Sequence, residues 1–162
     1  MTAPERPDGD AAERTAALQR EPWAHELGVE YLELGPGRCR VALTLRPTML
    51  NHQGAPHGGV IFSLADVAFG AACNSRGGTW VALTMTISFL AAAAPGSRLV
   101  AEARERRRGR RAAFFDVTVS ADGTTVATVH CVAHRVGEPG PREGRAADGP
   151  DGGPADQPGS PR

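Results

Sequence analysis

At 162 residues the chain has the length of one domain. Its 18 basic and 18 acidic residues cancel, and aromatic residues make up only 5%, so neither net charge nor a stacking surface points to nucleic acid. Every basic residue is Arg, which reads as genome composition rather than chemistry.

Residues 1–12 are polar and are expected to be disordered. The first 22 residues mix Asp, Glu and Arg with no apolar centre, so no secretory leader is expected and the inferred location is cytoplasmic. Residues 13–27 place Leu18, Trp23, Ala24 and Leu27 at helical spacing, with an interruption at Pro22. Gly28–Leu34 and Arg38–Leu45 alternate as strands around Gly35-Pro36-Gly37, which reads as a hairpin. A Pro-, Asn-, Gln- and Gly-rich loop fills 46–56. Residues 57–75 read as a helix that is apolar nearly all round and so should be buried on most sides. Trp80–Leu90 alternates, with Val81, Leu83, Met85, Ile87 and Phe89 on one face and Thr84, Thr86 and Ser88 on the other. The uncharged stretch 77–97 carries Gly, Thr, Ser and Pro, so it is a buried strand and turn rather than a membrane span. Strands follow at about 98–106, 111–121 and 124–135, with turns at Pro95-Gly96, Gly109 and Asp122-Gly123. The tail 138–162 holds six Pro and six Gly and is expected to be disordered. The folded domain is therefore 13–137. Its class is α+β: an antiparallel sheet wrapped round one apolar helix, which buries both.

Between Arg46 and Arg98 only Asp66 and Arg76 carry a fixed charge. Arg76 falls at a helix end, where a cation suits the dipole. Asp66 sits mid-helix in the apolar run Leu64–Phe69. Removing a carboxylate from water costs several kcal/mol unless something compensates it. The bland reading is a carboxylate satisfied by a hydroxyl or facing solvent on an exposed stripe. The functional reading is a base or nucleophile in a cleft. Just before it, Asn51, His52, Gln53, Gly54, His57, Gly58 and Gly59 cluster at the helix N-terminus. Free N–H groups and the positive dipole end there suit developing negative charge, and the glycines allow close approach. Gly58 and Asp66 are eight residues apart, roughly 12 Å along one helix. One carbonyl cannot lie near both. If both act on one group, they come from two subunits related by a two-fold axis.

The run Asn51-His-Gln-Gly-Ala-Pro-His57-Gly-Gly, with Asp66 on the following helix and then Thr86-Ile-Ser-Phe-Leu90, resembles the PaaI-type hotdog thioesterases of phenylacetate degradation over about residues 15–136. The resemblance implies a hotdog fold, homodimers assembling to homotetramers, and hydrolysis of arylacetyl-CoA or aryl-CoA thioesters. It implies that Asp66 is the catalytic carboxylate and that the Gly58 N–H and the Asn51 side-chain amide bind the thioester carbonyl. It further implies that His57 positions Asn51 or the thioester sulfur. Gly59 is expected beside the substrate. Some relatives carry a Ser or Thr on the next strand to hold the attacking water. The matching residue here is Ala82, and Thr84 is the nearest hydroxyl of the same parity.

Residues 98–111 hold seven Arg against two Glu. Arg110 and Arg111 are the best candidates to clamp the phosphates of coenzyme A, beside the plainer reading of a solvated basic turn. Coenzyme A is part of the substrate, and no separate cofactor is expected. Cys39, Cys73 and Cys131 lack metal or redox spacing, and Cys73 and Cys131, in apolar stretches, read as buried thiols. His130 and His134 fall on one strand, roughly 13 Å apart, so no metal site is expected there. Two rivals stand beside the hydrolase. A hydratase would need a His soon after Asp66, and the next is His130. A non-catalytic acyl-CoA-binding module would release no thiol.

Overall fold

The computed structural model describes residues 9–136; the stretches 1–8 and 137–162 lie outside it, and with them the disordered tail expected from composition. Helix α1 spans Gly9–Gln19 and α2 spans Pro22–Leu27, broken where Pro22 was expected to break them. Of the segment 1–12 expected to be disordered, residues 1–8 lie outside the described residues and Gly9–Ala12 are helical. Strands β1 (Glu30–Gly35) and β2 (Arg38–Thr44) form the first hairpin. Helix α3 spans Gly58–Asn74, and β3 (Thr79–Phe89), β4 (Arg98–Arg108), β5 (Ala112–Ala121) and β6 (Thr124–Val136) follow.

The six strands form one antiparallel sheet in the order β1-β2-β4-β5-β6-β3. The β5–β6 hairpin turns through Asp122 and Gly123, both at positive φ (49° and 84°), the backbone a two-residue hairpin loop requires. Helix α3 lies on the inner face. Its Leu64, Ala68, Phe69 and Ala72 are fully buried against Val41 and Leu43 of β2, Ala101 and Ala103 of β4, and Phe115 and Val117 of β5. Alanine on β4 gives the helix room, and Phe69 meets Phe115 edge-to-face with ring centroids 5.4 Å apart.

Two expectations fail here. First, α3 is not covered on all sides in the single chain. Gly59 and Asp66 are exposed, and Phe62, Ser63 and Gly70 are half-buried; together they make an open stripe at helical spacing. Second, β3 does not alternate cleanly. Ala82 pairs with Ala133 and Thr84 with Val132, so Leu83 is an extra residue in a β-bulge. The bulge reverses parity. Met85, Ile87 and Phe89 lie opposite Cys131, Val129 and Ala127 on the inner face, whereas Val81 shares the outer face with Thr84, Thr86 and Ser88.

The C-terminal end of α3 is tied down by side chains. Asn74 Nδ2 donates to Gly70 O (3.0 Å) and Trp80 O (3.1 Å), and its Oδ1 accepts from Trp80 N–H (2.9 Å). The cation serving the helix end is Arg108 rather than Arg76. Arg108 donates to Cys73 O (2.8 Å) and pairs with Glu105 (2.8 Å), and its guanidinium lies over the Trp80 ring at 4.4 Å. Arg76 reaches only Glu105, at 3.5 Å. Arg108→Ala removes a charge-assisted hydrogen bond and a cation–π contact together, and should destabilise the fold by about 2 kcal/mol in urea unfolding. Arg76→Ala should change it by less than about 1 kcal/mol.

Candidate functional site

The loop before α3 is held by its own first residue. Asn51 Oδ1 accepts from Gln53 N–H (2.9 Å) and Ala55 N–H (3.1 Å), while Asn51 N–H donates to Ala55 O (2.7 Å). Asparagine is suited to such a turn because its short side chain reaches backbone groups two to four residues on. These bonds fix which end of the amide points inward. The oxygen is used, and the Nδ2 group has no hydrogen-bond partner among the described residues.

At the helix start His57 acts as the N-cap: its Nδ1 accepts from Gly59 N–H at 2.9 Å. An accepting Nδ1 leaves the ring proton on Nε2. The Val60 N–H goes to His57 O (2.9 Å). Of the first three amides of α3, only that of Gly58 is left without a partner among the described residues. Gly59 is therefore not a free donor, and the direct role of His57 here is capping.

Gly58 also meets a steric demand. A Cβ at this position would lie 3.1 Å from Cζ of Phe89, so only glycine fits beside that ring without displacing it. Gly58, Phe89, Ile61, Pro56 and Leu90 line an apolar groove of about 420 Å³ that continues along Ala91–Ala93. Phe89 lies within the TISFL motif, but its contact with Gly58 is not visible from spacing. A second groove, of about 440 Å³, lies on the other side of the helix start between His57, Gly59, Ser63 and Trp23.

Asp66 follows Gly58 by two turns of α3. Its side chain is open to solvent on the exposed stripe and has no hydrogen bond or ion pair among the described residues. Surface exposure and partial desolvation coexist there: the protein beneath and beside it raises its pKa above the ordinary aspartate value. The low-dielectric cleft expected around Asp66 is thus not present in one chain. At 1.5 Å of rise per residue, Asp66 stands roughly 12 Å along the axis from Gly58.

The remaining candidates lie elsewhere. Thr84 is on the outer face opposite Val132, away from α3, because the bulge at Leu83 breaks the parity that linked it to Ala82. Arg110 and Arg111 are exposed in the β4–β5 turn, where Arg111 O accepts from Arg135 N–H. That turn lies at the C-terminal end of α3, the opposite end from Gly58. His130 Nδ1 and Asp116 Oδ1 are 2.9 Å apart on the outer face, and Arg106 meets the same carboxylate at 3.0 Å. All three cysteines are buried free thiols, and burial pushes each of them up to about 12. They offer no ready thiolate.

A family model described as the thioesterase superfamily matches residues 53–128. The acyl-coenzyme A thioesterase PaaI of Escherichia coli K12 is 37% identical over 123 residues, 75% of this chain and 88% of that protein. The solved structure of the E. coli PaaI protein, from the phenylacetic acid degradation operon, superposes with a TM-score of 0.76 at 34% identity, covering 80% of this chain and 95% of that one. A Streptococcus mutans structure bound to acetyl CoA superposes with a TM-score of 0.65 at 28% identity, over 68% of this chain and 90% of that one. The antiparallel sheet wrapped round α3 is the hotdog fold of these neighbours.

The two roles of the Asn51 amide can be separated. Asn51→Ala loses both acceptor bonds and should lower stability by about 1–2 kcal/mol, whereas Asn51→Asp keeps them and should stay within about 0.5 kcal/mol of the wild type. Thermal and urea unfolding of the two variants measure the difference.

Proposed function

The chain belongs to the thioesterase superfamily and is a thioester hydrolase of the PaaI type, and from that premise we propose that it cleaves arylacetyl-CoA, phenylacetyl-CoA or a hydroxylated relative, to the free acid and coenzyme A. The observation that carries this reading is two donors without partners among the described residues: Gly58 N–H, at the start of α3 beside an apolar groove, and Asn51 Nδ2, in the loop that leads to it. Preorganised donors of this kind stabilise the oxyanion that forms when a thioester is attacked.

In the proposed mechanism the thioester carbonyl oxygen accepts from Gly58 N–H and Asn51 Nδ2. Asp66 of a second copy takes a proton from water as the water oxygen bonds to the carbonyl carbon. The intermediate collapses with loss of the C–S bond, and the proton passes from Asp66 to the departing thiolate. In the alternative route Asp66 attacks the carbonyl itself, and water hydrolyses the resulting anhydride. A single turnover in labelled water separates the two, since direct attack puts enzyme oxygen into the product. His57 supports this site by holding the helix start. Gly59 serves by its small size. Arg110 and Arg111, which have no ion pair among the described residues, are proposed to meet coenzyme A phosphates from the partner chain. Thr84 has no part in the mechanism.

The two-chain site draws support from β3. It is an edge strand with exposed apolar side chains on both faces, Val81 and Leu83 (63% exposed) along it and Phe89 at its end, and exposed Leu90 follows directly. Exposed apolar edges invite a further strand. Antiparallel pairing of two β3 strands about a two-fold axis sets the two α3 helices antiparallel and covers Asp66 with the partner's Gly58 end. Dimers are proposed to pair into tetramers. The proposed location is the cytoplasm, since the charged CoA moiety keeps such thioesters on the side where they are made. Among the described residues no helix is long and apolar enough to cross a membrane.

A thiol-release assay with phenylacetyl-CoA, beside benzoyl-CoA and medium-chain acyl-CoA, tests the substrate. Asp66→Asn should lower kcat at least about 10²-fold, and undiminished turnover would overturn its assigned role. Because a base must be ionised, kcat/KM should fall as pH drops through the raised pKa of Asp66, above the ordinary aspartate range. Leu83→Asp should yield an inactive monomer in sedimentation; an active monomer would contradict the two-chain site.

A further inference from the structure

Helices α1 and α2 run alongside the open stripe of α3 in the opposite direction. Arg14 of α1 donates to Ser75 O just past the end of α3 (3.4 Å), whereas Trp23 and Leu27 of α2 share a groove with His57, Gly59 and Ser63 at its start. The junction between them, Arg20 and Glu21, therefore falls opposite the middle of α3, the turn that carries Asp66. Tyr31 of β1 fixes this junction from below, its hydroxyl donating to Leu18 O at 3.1 Å.

Glu21 is odd as a structural residue. It occupies the N-cap position of α2, yet its side chain makes no capping bond. It is half-buried and forms no hydrogen bond or ion pair among the described residues. Stability offers no reason to keep an unpaired acid there.

Building on the reading of Asp66 as the base, we propose that Glu21 is its positioning residue: a second carboxylate, held beside Asp66 by the α1–α2 junction, whose negative charge strengthens Asp66 as a proton acceptor. Among the described residues Tyr31 on β1 faces Glu21, and Cys73 on α3 and Cys131 on β6 face Asp66, none of the three ionised near neutrality. Arg20 and Arg46 form no ion pair with either acid, Arg46 being turned to Glu26 O. The Glu21 carboxyl stands above its ordinary range, through burial first and the charge of Asp66 second. As coupled acids the two ionise in two steps that belong to the pair. Once both are ionised, a proton taken by Asp66 relieves their repulsion, which makes the transfer from water more favourable.

Carboxyl NMR titration of the full chain and of Asp66→Asn tests the coupling, and the pH profile of kcat tests its use. The Glu21 midpoint should move down in Asp66→Asn. Glu21→Gln should lose roughly threefold to tenfold of kcat above the second ionisation only, and Glu21→Asp should retain it. A Glu21 midpoint that does not move overturns the inference and leaves Asp66 as the base. So does a Glu21→Gln profile that superimposes on the wild type. If Asp66→Asn keeps full turnover, the reading of Asp66 fails, and the catalytic role of Glu21 fails with it.

Discussion

A helix rises by a fixed amount per residue, and that constraint governs the proposed site. Eight residues of α3 separate the bare amide of Gly58 from the carboxylate of Asp66, roughly 12 Å along the axis. No side-chain movement within one chain closes that gap. The proposed two-chain site follows from the need to close it. The inner face of the sheet holds α3, its C-terminal turn is fastened by Asn74 and Arg108, and one stripe is left open in the single chain.

Much of this arrangement is legible in the residues. The hairpin around Gly35-Pro36-Gly37, the helix after His57 and the alternating strands sit within about two residues of where periodicity puts them, because each has a turn signal at its ends. What escaped is what depends on neighbours. The bulge at Leu83 is invisible in an alternating string, since apolar and polar residues still take turns on either side of it. The openness around Asp66 is hidden for a related reason: a helix apolar by composition looks buried all round, and only Gly59, Ser63 and Gly70, small residues on the same stripe, hint at a bare side. Arg76 looks like the natural cation for the helix end, but the chain returns Arg108 to that place from 35 residues away.

The loop before α3 was legible in composition and not in detail. Its polar residues mark a candidate site for negative charge. Their division of labour emerges only when the hydrogen bonds are traced. His57 looks like a group that touches substrate, yet its Nδ1 is spent on Gly59. That bond withdraws one amide and leaves Gly58 as the donor. Asn51 likewise looks ambivalent, able to give or accept, until two backbone amides claim its oxygen. The site is thus built by subtraction, with each satisfied group narrowing what remains.

The two borders of the sheet are unlike. Along β1 the chain carries Glu30 and Glu33, both in ion pairs, and a register shift between Tyr31 and Glu33. These are devices that repel an incoming strand. β3 has its own irregularity, the bulge at Leu83, but no residue of Thr79–Phe89 carries a charge. In the proposed pair, two copies joined through β3 present only their charged β1 borders to the surroundings. The same asymmetry that permits such a pair opposes its growth into a fibre.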